Sequence, residues 1–406
     1  MIIKRREYLE RLWRLKDKNL IKVITGVRRA GKSTLLQLFQ GELLENGVEQ
    51  EQIIDINFEM RENDDLTDWK KLHDEITSKM IEGKTAYIFL DEIQMVDKFE
   101  RVVDSLYARK NTDIYITGSN AFLLSGELAT LLSARYITTN VLPLSFSEYA
   151  QNFPDENKDR LFERFMVGSA MPETLDLGID SPNLIDDYLR EVYKTVVKKD
   201  IKNRFEIRDT GSFNRVVNFL FDSIGNTVSS KSIADALNAG NRNSKQNISH
   251  KTVANYLEYL TNSYLFYKVD RYDIKGKKLL KTQDKYYAVD LGFRQALLGQ
   301  KPDIDLGHKL ENLVFLELRR RNNGDILIGK KDENEVDFVV QNSAGNRAYY
   351  QVALTTKDKN TLERELKPLQ SIRDNYQKFI ISTDFDNSVY DGVRKVNVVD
   401  WLLGKE

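Results

Sequence analysis

The chain has 406 residues, with 61 Lys plus Arg against 62 Asp plus Glu for a net charge of -1, and it contains no cysteine. The balance of charge excludes a globally basic or acidic protein, so any affinity for nucleic acid or an acidic membrane must come from a local patch. The lack of cysteine excludes disulfides, thiolate zinc sites and cysteine nucleophiles, and fits a reducing compartment.

Hydrophobic residues make up 41% of the chain, enough for two or three domains with their own cores. The amino-terminal Met1-Ile2-Ile3-Lys4-Arg5-Arg6 runs straight into a charged helical pattern, so no secretory signal is expected. No segment approaches the ~20 apolar residues that span a bilayer. The expectation is a cytoplasmic protein with no membrane partner.

Residues 1–150 alternate strand-like and helical stretches. Leu20–Thr25 is an apolar run ending at Gly26, and a helix bearing Leu35, Leu36, Leu38 and Phe39 follows, ending near Gly47. Ile53–Phe58, Tyr87–Leu90 and Ile114–Thr117 read as further strands. Strands separated by helices predict a parallel sheet with ligands outside its carboxyl edge.

At that edge lies Gly26-Val27-Arg28-Arg29-Ala30-Gly31-Lys32-Ser33, which fits G-x-x-x-x-G-K-[ST] at every fixed position, with Thr34 next. Glycines let the backbone N–H groups turn inward toward phosphate oxygens, and the following helix offers its positive end. Lys32 is expected to reach the β- and γ-phosphates and Ser33 to ligate Mg²⁺. Tyr87-Ile88-Phe89-Leu90-Asp91-Glu92 is a buried strand ending in two acids. Asp91 is expected to hold Mg²⁺ or its hydration shell, and Glu92 to orient and polarise the attacking water. The strand Ile114–Thr117 ends in Gly118-Ser119-Asn120, and Ser119 and Asn120 are candidates to touch the γ-phosphate or that water. Arg135 is a candidate arginine finger, against the alternative of an ordinary salt bridge. Arg28 and Arg29 lie in the loop without a firm assignment.

Residues 151–212 read as a helical linker. Within it Tyr188–Arg204 forms an amphipathic helix whose lysines are a solvated face. Residues 213–293 give helix, polar stretch, helix and hairpin, the order of a winged helix. Ser229-Ser230-Lys231-Ser232 starts its first helix, Ile248-Ser249 the second, and Leu265–Tyr272 and Lys285–Val289 are its strands. Arg271, Lys275, Lys277 and Lys278 on the hairpin, and Lys251 with Arg242 and Lys245 near the second helix, form the local basic patch. It is a candidate contact for duplex DNA phosphates, against the alternative of a winged helix that only packs. The interleaved Tyr256, Tyr259, Tyr264, Phe266 and Tyr267 sit at core-like spacing. From about Leu306 the tail reads as helix Leu310–Arg321 followed by strands at Ile326–Ile328, Glu335–Val340, Ala348–Leu354 and Lys378–Ser382.

Gly26–Ser33, Asp91-Glu92-Ile93-Gln94, Thr117-Gly118-Ser119-Asn120 and Leu142-Pro143-Leu144-Ser145-Phe146-Ser147-Glu148-Tyr149 together resemble a prokaryotic AAA-type ATPase family whose members carry a carboxy-terminal domain of unknown function. The resemblance implies, in order, an AAA-type P-loop domain, a winged helix and a restriction-endonuclease-like domain. Combined with the helical linker read at 151–212, this gives an α/β fold with a P-loop NTPase parallel sheet at 1–150, a winged helix at 213–293 and a restriction-endonuclease-like α/β domain at 294–406. It also implies ATP as the nucleotide. The family has Gly-Arg where this chain has Ala134-Arg135, which weakens the finger assignment. A restriction-type core would use Glu311 on the helix, Asp337 in Glu335-Val336-Asp337-Phe338, and Gln351-Val352-Ala353. Ala353 stands where the catalytic lysine belongs, and the sequence shows no replacement, Lys330 and Lys331 being the nearest candidates. Nuclease activity is therefore not expected. The resulting expectation is an ATPase whose nucleotide state controls a partner, duplex DNA first, with a protein partner or homo-oligomer as the alternative.

Overall fold

The computed structural model describes residues 3–121, 135–178, 181–239, 247–299, 305–322, 324–342 and 345–405. Arg242 and Lys245 lie outside the described residues. The chain divides into two compact units: Met1–Pro143 with Asn262–Tyr264, and Leu144–Thr261 with Leu265–Glu406.

In the first unit, strands β1 (Ile21–Thr25), β2 (Ile53–Asn57), β3 (Ala86–Asp91), β4 (Thr112–Gly118) and β5 (Tyr136–Asn140) form one sheet in the order β2-β3-β4-β1-β5. Every pairing is parallel. Helices α1 (Arg6–Leu15), α2 (Lys32–Glu45), α3 (Trp69–Lys79) and α4 (Phe99–Tyr107) accompany it. A parallel sheet covered on both faces needs strands that are apolar throughout, and every residue of β1 and β3 is buried. Alternate side chains go to opposite faces. Ile88, Leu90, Ile114 and Ile116 pack with residues of α3 and α4, including Leu72 and Leu106. Phe89 and Tyr115 stack with centroids 4.8 Å apart, and Phe39 of α2 lies 5.3 Å from Tyr115. Lys22, on the interior strand β1, is buried but ion-paired to Asp113, which also accepts from the Tyr115 hydroxyl at 2.9 Å. A buried ammonium is tolerated when so neutralised.

The second unit begins with α5 (Phe146–Ala150). Its entry is a capping box: Ser145 Oγ accepts from Glu148 N at 3.0 Å, and Glu148 Oε2 from Ser145 N at 2.8 Å. There follow α6 (Lys158–Val167), α7 (Pro182–Thr195), which continues as a π-helix over Val196–Lys202, α8 (Thr210–Asp222), β6 (Thr227–Val228), α9 (Ser230–Asn238), α10 (His250–Asn262), β7 (Phe266–Asp273) and β8 (Lys278–Ala288). Then come α11 (Leu291–Leu298), α12 (Leu306–Arg321), β9 (Asp325–Lys331), β10 (Asn334–Gln341), β11 (Arg347–Val352), α13 (Lys359–Ser371), β12 (Gln377–Ser382), β13 (Val389–Tyr390), β14 (Val393–Asn397) and α14 (Val398–Leu402). All nine strands belong to one sheet, ordered β13-β14-β12-β11-β10-β9-β7-β8-β6.

The element order anticipated over 213–293 is present, but the hairpin is an inner part of a larger sheet. β7 pairs antiparallel with β8 on one side and parallel with β9 on the other, with Arg271 opposite Ile328. This sheet runs across the 293/294 division expected from sequence. Tyr256, Phe266 and Tyr267 are buried, as their spacing suggests, and Lys194, Lys198, Lys199 and Lys202 are exposed. Among the described residues, no helix is long and apolar enough to cross a membrane.

Candidate functional site

The glycine loop leaves the carboxyl end of β1 and turns into α2. Gly26 has φ 145° and Gly31 φ 90°, backbone conformations that side chains disfavour. A Cβ on Gly26 would lie 2.2 Å from the Val141 carbonyl oxygen, so this position also lacks space. The Arg5 guanidinium, buried over the Tyr8 ring, donates to the Ala30 carbonyl at 3.0 Å and the Pro143 carbonyl at 3.2 Å. The Tyr8 hydroxyl accepts from Leu142 N at 3.1 Å. Arg5, just before the first helix, and Tyr8 within it thus brace the loop and the Leu142-Pro143 segment, a role that sequence reasoning missed.

Lys32 is buried and donates to the carbonyls of Gly26 at 3.1 Å and Val27 at 3.3 Å, with Glu92 Oε1 3.7 Å away. Glu92 has φ 57°, a strained setting for a residue with a side chain. Its carboxylate also accepts from Gln94 Nε2 and lies 4.0 Å from the Arg28 guanidinium, which is itself 2.7 Å from Glu59. Thr117, at the end of β4, donates to Asp91 Oδ1 at 2.5 Å and accepts from Glu92 N at 2.9 Å. Burial pushes the Asp91 carboxyl above its usual range, while hydrogen bonds from Ser33 and Thr117 pull it back. Ser33 and Asp91 therefore face one another, a donor pair of hard oxygens suited to Mg²⁺.

Ser119 and Asn120 are buried just beyond the end of β4, on the carboxyl side of the sheet. Arg135 is elsewhere. Its carbonyl accepts from Ile21 N, at the start of β1, and its guanidinium lies 3.1 Å from Asp104 and over the Tyr107 ring. With about 3.3 Å per residue along β1, it stands at the opposite edge of the sheet from the loop of its own chain. The salt-bridge alternative describes it.

In the second unit the structure brings Glu311, Asp337 and Gln351 to one cleft of about 530 Å³. Asp337 accepts from Val352 N at 2.8 Å and its own N–H points to Gln351 Oε1 at 3.4 Å. The lysine among them is neither Lys330 nor Lys331 but Lys285, from β8, 2.9 Å from Glu311, 3.0 Å from Glu335 and 3.9 Å from Asp337. Burial pushes Asp337 up, aided by the Glu311 charge. Burial opposes the charge on Lys285, but the carboxylates outweigh it and hold its pKa above the usual range. Among the described residues, no group of three or more His, Asp or Glu is arranged to hold a metal ion.

The basic patch is smaller than the sequence suggests. Lys251, Lys275, Lys277 and Lys278 are exposed. Arg271 is a correction: β7 is an interior strand, and the buried guanidinium lies 3.2 Å from Gln283 and 3.8 Å from Glu335, out of reach of a phosphate.

Residues 18–150 match the model of an AAA domain, and residues 159–304 that of a domain of unknown function. A Haemophilus influenzae protein, itself uncharacterized, is 38% identical over 99% of this chain and 99% of its own length. The uncharacterized protein MJ1544 of Methanocaldococcus jannaschii is 31% identical over 91% of this chain and 80% of its own length. Among solved structures, Cdc6p from Pyrobaculum aerophilum is similar with a TM-score of 0.30 and 11% identity, covering 73% of this chain and 94% of that one. The chain belongs to the family represented by these two relatives, and its residues 18–150 are an AAA-type ATPase domain that binds and hydrolyses ATP.

Proposed function

We propose that the chain is a Mg²⁺-dependent ATPase whose nucleotide state controls its engagement of a partner, duplex DNA. The convergence of Lys32, Ser33, Asp91 and Glu92 at the carboxyl end of one parallel sheet carries this reading. In it, the N–H groups of residues 26–34 wrap the triphosphate, and Lys32 leaves the loop carbonyls for the β- and γ-phosphates. Ser33 and Asp91 would hold Mg²⁺, which would offset charge on the phosphate oxygens. Glu92 accepts a proton from the attacking water, with its backbone N–H fixed on Thr117. Ser119 and Asn120 line the γ-phosphate side. Arg135, at the far edge of the sheet, would serve only a nucleotide held by another copy.

The DNA half of the reading rests on exposed Lys251, Lys275, Lys277 and Lys278 beside a winged-helix order of elements. The competing protein-partner reading is favoured by the burial of Arg271 and by the 3.3 Å ion pair between Lys275 and Asp332. ATPase assays with and without duplex DNA test both. Lys32→Ala should abolish binding, and Glu92→Gln should bind ATP without turning it over. Wild-type turnover by Glu92→Gln overturns the base assignment. An ATPase rate and a duplex affinity both indifferent to each other's ligand remove DNA as the partner.

A further inference from the structure

Lys285 sits where the acids of the second cleft converge. It lies on β8, opposite Val269 of β7 and Thr227 of β6, well inside the sheet. Its side chain is 6% exposed. Its ammonium reaches Glu311 from α12 at 2.9 Å, and Glu335 and Asp337 from β10 at 3.0 and 3.9 Å. Two neighbouring contacts fix the same pair of elements. Tyr287, two residues along β8 and so on the same face, donates to Glu311 Oε1 at 2.6 Å. Asn312, next to Glu311, brackets Ala288, accepting from its N–H at 2.8 Å and donating to its carbonyl at 2.9 Å.

A divalent ion needs several oxygens within about 2.0–2.6 Å. Here the Glu311 and Glu335 oxygens that would supply them lie 2.9 and 3.0 Å from an ammonium, at hydrogen-bond distance, with Asp337 next to them at 3.9 Å. The two cations cannot share the position. We propose that Lys285 is the resident cation of this cluster, permanently in place of a divalent metal ion, so that the cleft works without metal and the hairpin is pinned ionically to α12 and β10. The cleft is then a latent divalent-cation site that one substitution uncovers. Removing the ammonium leaves carboxylates facing one another, and a hard divalent ion is the ligand that such a set accepts.

Mn²⁺ is the probe, applied without nucleotide to the full chain carrying Asp91→Asn, which silences the phosphate-loop site. In that background Lys285→Met should lower the unfolding midpoint, and millimolar Mn²⁺ should raise it by about 2–4 °C or more. Mn²⁺ should do nothing for the parent or for Lys285→Arg, which keeps a cation in place. Adding Glu311→Gln to Lys285→Met should erase the Mn²⁺ response. A folded Lys285→Met chain that ignores Mn²⁺ overturns the proposal. Should Lys285→Met fail to fold, Mn²⁺ titration followed by electron paramagnetic resonance decides with Lys285 intact. The Asp91→Asn chain should bind no Mn²⁺ that Asp91→Asn/Asp337→Asn loses, and a site that Asp337→Asn removes overturns the proposal.

Discussion

Thr117 ties the two acids of the nucleotide site together: its hydroxyl donates to Asp91 at 2.5 Å, and the same oxygen accepts from the Glu92 backbone at 2.9 Å. β4 lies between β1 and β3, so a short polar side chain at its tip is placed to reach the neighbouring strand's end. Thr117→Val keeps the shape and deletes both bonds. It should lower kcat about 10-fold or more, the equivalent of one hydrogen bond removed from the transition state. The KM for ATP should change far less, and Thr117→Ser should restore the rate. Steady-state kinetics on the three proteins checks this.

Arg28 stands inside the loop and touches Glu59 at 2.7 Å and Glu92 at 4.0 Å. Once Lys32 turns to the phosphates, Arg28 and Gln94 are the partners left to orient the Glu92 carboxylate. Arg28→Met should therefore reduce kcat more than it raises KM. Arg28→Lys should recover only part of the loss, because an ammonium cannot bridge two carboxylates as a planar fork does.

Gly26→Ala should be among the most damaging single changes at the loop. The added methyl meets the Val141 carbonyl oxygen at 2.2 Å, and φ 145° suits no side chain. A loss of roughly 1–3 kcal/mol of stability is expected, together with weaker binding of a fluorescent ATP analogue. Gly41→Ala, with open space around it, is the control in the same unit.

Asp290 gives the second unit a pH dependence. It caps α11, accepting from Gly292 N at 2.9 Å and Ala170 N at 2.6 Å, and burial pushes its carboxyl up to about 6. A folded pKa above the unfolded value of about 3.9 means that the folded chain holds this proton more tightly. The contribution to stability is fully present below pH ~4 and is lost as pH rises through ~6. The unfolding midpoint of the wild type should fall over that window relative to Asp290→Asn. The difference should change by roughly 2–3 kcal/mol, measured by urea titration at pH 4.5 and 7.

Replacing Lys251, Lys275, Lys277 and Lys278 with Ala tests the DNA reading. For every phosphate that these lysines neutralise, the slope of log affinity against log salt should become shallower by about 0.9 in the variant. Arg271→Ala should leave that slope alone and should lower stability, because its guanidinium is buried against Glu335. An unchanged slope for the lysine variant rules the patch out as a DNA-binding surface.

The parts of the site legible in the sequence are those fixed by local spacing. Gly26–Ser33 and the Asp91-Glu92 strand end declare themselves because loop, helix and strand are contiguous in the chain. Thr117 does not, since a threonine in an apolar strand reads as ordinary β propensity. Tyr136–Asn140 does not stand out as a strand because its Thr-rich run lacks the apolar signal that marks β1 and β3. Arg271 misleads because a basic run looks solvated until an interior strand buries one member. Lys285 is invisible for a related reason: its partners Glu311, Glu335 and Asp337 arrive from other elements, and only the sheet order brings them to it. Arg135 is a reasonable finger candidate until the parallel register of β5 with β1 places it at the amino edge.

The parallel pairing of β7 with β9 bears on any attempt to dissect the protein. Severing the polypeptide between β8 and β9 would strip one flank of β7 bare, exposing a row of amide and carbonyl groups that ordinarily never meets water. Such a rim recruits strands from other molecules. The amino-terminal fragment released by such a cut should precipitate or associate, however intact its nucleotide pocket remains.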